Sequence, residues 1–73
     1  MTNAAQQLGF VFSRHGCACS GGTNDYYTAT HDGKSYTLRI WPIKGVWNLT
    51  LSGYRIAWGN KENLTEKIKE IWD

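Results

Sequence analysis

Seventy-three residues with a net charge of +2 make one domain, and a chain this short buries only about 60% of its unfolded surface, so its core must be dense. Four Trp and four Tyr can supply that density, because each large ring removes on the order of 150 to 250 Å² from water. The charge falls short of the dense basic stripe that announces a polyanion binder. No run of about 18 apolar residues could cross a membrane, and the N-terminus lacks the basic and apolar segments of a signal peptide, so a soluble cytoplasmic protein is expected.

Taken in order, residues 2–9 hold a capping hydroxyl, good helix formers and a terminal Gly, which suits one or two helical turns or a frayed tail. Residues 10–14 are aromatic and β-branched, so they read as a strand with Phe10 and Phe12 inward; their place in a sheet does not follow from the sequence. Residues 15–24 are small and turn-forming and must be a loop.

The rest of the chain is organised by three dipeptides, Asp32-Gly33, Lys44-Gly45 and Ser52-Gly53. Gly in a two-residue loop supplies the positive φ that primed hairpin turns need. The first turn pairs Ala29 with Tyr36 and Tyr27 with Leu38. The second, read as a two-residue loop, pairs Ile40 with Leu49 and Leu38 with Leu51. The third pairs Leu51 with Tyr54, Leu49 with Ile56 and Trp47 with Trp58.

Facing residues share a sheet face, and a one-residue slip would throw a whole apolar set into water. The expected core face therefore holds Tyr27, Ala29, Tyr36, Leu38, Ile40, Trp47, Leu49, Leu51, Tyr54, Ile56 and Trp58. The opposite face holds Tyr26, Thr28, Thr30, Ser35, Thr37, Arg39, Trp41, Asn48, Thr50, Arg55 and Ala57, mostly polar and β-branched.

After Gly59, Asn60 or Asn63 can cap a helix from about Lys61 to Trp72, and Asn63 with Glu66 resembles a capping box. Leu64, Ile68, Ile71 and Trp72 form one apolar stripe that covers the core face. The expected fold is α+β: an antiparallel β-meander of four to five strands with a C-terminal α-helix packed on one face. Residues 1–73 form a single domain, with 1–9 a short helix or tail, 10–58 the sheet and 60–73 the helix.

Few residues invite chemistry. His15, Cys17 and Cys19 are the only candidate zinc ligands, since thiolate and neutral imidazole are the donors zinc prefers. A Cys-x-Cys spacing with no second pair is not that of a structural zinc site, and His31 lies at the far end of its strand. Two reduced thiols in a loop are expected, with no metal and no cofactor. The carboxylates sit in turns or on the helix, and no acid, base and pocket converge, so no enzyme is expected.

The outer face is more informative. Tyr26 should face Arg39, Arg39 should face Thr50 and Thr50 should face Arg55, with Trp41 one step along. Rings beside guanidinium groups can anchor a protein partner or stack bases, or the arginines can simply shield the rings. The expected function is a small non-catalytic binding module working through Tyr26, Arg39, Trp41, Thr50 and Arg55. A protein partner stands ahead of RNA or DNA.

Two local resemblances stand beside this reading. The run from Leu8 through Gly9, Phe10, Val11, Phe12 and Ser13 to Arg14, followed by Gly22-Thr23 and Tyr27 ahead of a hairpin, resembles the opening of the HicA-type mRNA interferases, which have a double-stranded-RNA-binding fold. Asn24 stands where those toxins carry the catalytic histidine, and the extra hairpin through Trp58 departs from their plan, so ribonuclease activity is not carried over. The sheet-then-helix order from Tyr36 to Trp72, with Lys44-Gly45-Val46-Trp47 and Trp58-Gly59 before the helix, is similar to AP2 and integrase arm-binding domains. Those read the major groove with sheet arginines, a role that only Arg39 and Arg55 could fill here. A shared fold does not by itself deliver function.

Overall fold

The computed structural model describes residues 2–17 and 22–72. Its elements are α1 (Thr2–Gln7), β1 (Val11–His15), β2 (Asp25–His31), β3 (Lys34–Trp41), β4 (Val46–Leu51), β5 (Tyr54–Asn60) and α2 (Leu64–Trp72). The strands form one antiparallel sheet in chain order, so β1 and β5 are its edges. Both helices contribute to the core on one face, where Ala5, Leu64 and Ile68 join Phe10, Tyr27, Tyr36, Leu38, Ile40, Trp47 and Leu49. The expected meander with a C-terminal helix packed against it is therefore the observed architecture. Among the described residues no helix is long and apolar enough to cross a membrane.

Two of the three turns form as the dipeptides dictate. Asp32 and Gly33 have φ of 56° and 78°, Ser52 and Gly53 of 54° and 83°, and two successive left-handed residues make a type I′ hairpin turn. The β2–β3 register is the expected one throughout.

The middle turn differs. Trp41 pairs with Val46, so the loop is four residues long, and Gly45 N–H closes it by donating to the Trp41 carbonyl at 2.8 Å. Ile40 consequently faces Trp47 and Leu38 faces Leu49, in place of the expected Ile40 with Leu49 and Leu38 with Leu51. Pro42 is the cause: its ring lacks a ladder N–H and pre-sets a turn φ, so the strand ends before it. Two added residues leave every face unchanged.

The edge strands carry the real corrections. In β5, Leu51 pairs with Tyr54 and Thr50 with Arg55 as expected, but Ile56 is then an extra residue, a β-bulge. Beyond it Leu49 faces Ala57, Asn48 faces Trp58 and Trp47 faces Gly59. Ala57, expected outward, is buried, while Trp58, expected in the core, is 62% exposed. Ile56 and Tyr54, also expected in the core, are 39% and 76% exposed. The reason is tertiary. Trp47 fills the space under the helix, with its indole N–H donating to the Asn60 carbonyl at 2.8 Å. A side chain at Gly59 would collide with Asn63 at the start of α2, so small residues must line this stretch of β5.

β1 docks beside β2 with a bulge of its own between Phe12 and Arg14. Phe10 is buried as expected; Phe12 meets Tyr27 edge-on at 5.7 Å but lies at the sheet margin, 46% exposed. α1 ends in the double hydrogen bond of a Schellman cap, Phe10 N–H to Ala5 and Gly9 N–H to Gln6, both at 3.0 Å, with Gly9 at φ 98°.

α2 begins later than Lys61. Residues 61–63 form a turn in which Asn63 Oδ1 accepts from Asn60 N–H and Asn60 Oδ1 accepts from Glu62 N–H, each at 3.1 Å. At its other end Trp72 stacks on Phe10 and His31, with centroids 5.3 and 4.4 Å away, and meets Tyr36 edge-on. That cluster ties α2 to the α1 exit and the first hairpin.

Candidate functional site

The face turned away from the helices holds all three arginines of the chain. Reading the register across the strands gives one continuous row: Arg14 pairs with Tyr26, Tyr26 with Arg39, Arg39 with Asn48 and Asn48 with Trp58. Arg39 thus faces Asn48, not Thr50, because the four-residue loop moved β4 by two positions. Thr50 does face Arg55, in the neighbouring row with Thr37 and Thr28. Trp41 sits two residues along β3 from Arg39, on the same face.

Both ends of the row exist because of the bulges. In regular ladders Ser13 would stand beside Tyr26 and Ile56 would pair with Leu49, so that Ala57 would face Asn48 and Trp58 would turn inward. Arg14 and Trp58 were accordingly absent from the expected site. Their residue types were a visible signal, but no local pattern announces the bulges.

Guanidinium groups and rings interleave along this surface. Arg14 lies 4.6 Å from the centre of the Tyr26 ring, and Arg39 lies 4.9 Å from Tyr26 and 4.6 Å from Trp41. Arg55 lies 5.2 Å from Trp58. Each is within cation–π range. Arg14, Arg55 and Trp58 are exposed, whereas Tyr26, Arg39 and Trp41 are half-buried. The only carboxylate within the five strands is Asp25, and it lies on the other face, opposite Ile40.

Arg39 is held in place from below. Its Nε donates to Asn24 Oδ1 at 2.9 Å, and Asn24 is 1% exposed. The Asn24 amide donates in turn to the carbonyls of Cys17 at 3.0 Å and Gly22 at 2.9 Å. Gly16 permits this clamp, since a Cβ there would overlap Asn24 Oδ1. Asn24 therefore ties both ends of the β1–β2 loop to the central arginine, a role no spacing in the sequence disclosed. With Nε bonded to Asn24, the Arg39 guanidinium is held over the Tyr26 and Trp41 rings.

The candidate metal ligands do not form such a unit. His15 Nδ1 bonds the Asp25 carboxylate at 2.7 Å with its ring largely in solvent. Cys17 is disulfide-bonded, which overturns the expectation of a reduced thiol there, and Cys19 lies outside the described residues. Disulfides persist in oxidising compartments, so this bond pulls against the cytoplasmic location expected from the N-terminus. Among the described residues no three His, Cys, Asp or Glu side chains gather as ligands would. No protein family, curated protein or solved structure matches the chain.

Proposed function

We propose that this domain is a non-catalytic module that binds nucleic acid through its outer sheet face. One observation carries the reading: three arginines and the rings of Tyr26, Trp41 and Trp58 share a face whose strand positions hold no carboxylate. Arginines supply phosphate contacts, rings supply base stacking worth about 1 to 3 kcal/mol per base, and the combination tolerates sequence. The small net charge of +2 understates the face, because Glu66 and Glu70 lie on α2 behind the sheet.

A protein partner is the second reading, and a different observation favours it. Tyr54, Ile56 and Trp58 are exposed along the β5 edge beside a shallow groove of about 330 Å³ completed by Lys67, Glu70 and Ile71 of α2. Titration of isotope-labelled protein with short RNA and DNA at two salt concentrations separates the readings. Shifts at Arg14, Tyr26, Arg39, Trp41 and Trp58 that weaken steeply with salt are expected, because phosphate contacts release counterions. No shifts there with any oligonucleotide would remove the nucleic-acid reading and leave the β5 edge.

A further inference from the structure

We infer that the ligand of this face is an unpaired strand that crosses the β-strands along the row from Arg14 to Trp58, with a footprint of about three nucleotides. The inference rests on the nucleic-acid reading and adds strandedness, direction and length.

Width excludes the duplex. Five strands spaced about 4.8 Å apart present a surface roughly 19 Å across, whereas the B-DNA major groove is about 12 Å wide, and the A-form major groove is too narrow for side chains. The sheet cannot enter either groove broadside. Its rings also need bases with exposed faces, which only an unpaired strand offers.

Direction follows from the bulges. They occur in the two edge strands and place Arg14 and Trp58 on the same cross-strand row as Tyr26 and Arg39. The row therefore has a cation at one margin, a ring at the other and the clamped Arg39 between them.

Length follows from counting. Trp58 offers a platform for one base and the guanidinium planes of Arg14 and Arg39, which lie over Tyr26 and Trp41, offer two more, while the three arginines can each neutralise one phosphate. Guanidinium planes stack on bases as well as on rings, so the Arg14–Tyr26–Arg39–Trp41 succession is itself a platform that a base can extend. Trp58, the most exposed of the three rings, is the most accessible stacking surface.

The test is fluorescence anisotropy with labelled oligouridylate and oligothymidylate, lengthened from about two to about twelve nucleotides, alongside a duplex of the longest. Affinity should climb steeply to about three or four nucleotides and then gain only from the extra registers a longer strand offers. Three phosphates at about 0.7 counterions each predict a log–log salt slope near −2. Trp58→Ala and Arg14→Ala lie at opposite edges, and both residues are exposed, so each variant should fold, as its amide spectrum will verify. Trp58→Ala should weaken binding by about five- to 150-fold, the range of one lost stack. Arg14→Ala should lower the salt slope by about 0.7.

Tighter binding of the duplex, a footprint that keeps growing past about six nucleotides, or binding insensitive to both edge variants would overturn this inference and leave the nucleic-acid reading standing. Failure of the wild-type chain to bind any strand or duplex would overturn that reading itself.

Discussion

The inner strands β2, β3 and β4 and the edge strands β1 and β5 obey different rules in this molecule. Among the inner strands every apolar residue expected inward is inward, even though the β3–β4 loop is longer than its dipeptide suggests. In each edge strand one extra residue reverses the alternation. An inner strand is hydrogen-bonded on both sides, so a bulge there would disturb two ladders, whereas an edge strand disturbs one and leaves its free side to solvent. Insertions of two conserve faces and insertions of one exchange them. The even insertion in the middle cost the register only its partner list; the odd ones at the margins changed which residues share the outer face.

The contrast breaks most sharply on two tryptophans that simple alternation would place together in the core. Trp47 is 2% exposed and Trp58 is 62% exposed. Trp47→Ala should therefore cost about 3 to 5 kcal/mol, while Trp58→Ala should change stability by no more than about 0.5 kcal/mol. Urea denaturation followed by circular dichroism measures both. Equal losses would place Trp58 back in the core and remove the β5 bulge.

A smaller effect is expected where the β1–β2 loop meets the central row. Asn24→Ala removes a nearly inaccessible amide that bonds two carbonyls and Arg39. The lost bonds should cost about 1 to 3 kcal/mol. A structural role alone would stop there; a positioning role for Arg39 should also show as altered Arg39 side-chain resonances and weaker oligonucleotide binding at temperatures where the variant is still folded. Unchanged Arg39 signals would reduce Asn24 to a loop tie.

The smallest effect sharpens the comparison from the other side. Deleting Ile56 removes the extra residue, so Arg55 still faces Thr50, Ala57 still faces Leu49 and Trp58 still faces Asn48, now in a regular ladder. The deletion should cost less than the Trp47 substitution and leave Trp58 exposed, as read from the solvent sensitivity of a fluorinated indole at that position. Burial of Trp58 on deletion would show that the shortened β5 does not pair with β4 in this register.

The candidate site was legible to the depth of its inner strands. Tyr26, Arg39 and Trp41 belong to β2 and β3, where period-2 alternation and a type I′ turn at Asp32-Gly33 leave one register. Arg55 was legible because it precedes the β5 bulge, and Thr50 because it pairs with it. Arg14, Trp58 and the supporting Asn24 were not, since each depends on what an edge or a loop meets across the fold.

The sequence by itself determined the parity of β2, β3 and β4, the two tight turns and the stripe of Leu64 and Ile68, because alternation, positive φ and helical spacing are local properties. Only the tertiary structure decided where β1 docks and where the edge strands bulge. Those choices depend on non-local fit: Trp47 fills the core beneath α2, and Ala57 and Gly59 let the helix start approach β5. With those places taken, the larger Trp58 is turned to the outer face, where it ends the row that begins at Arg14.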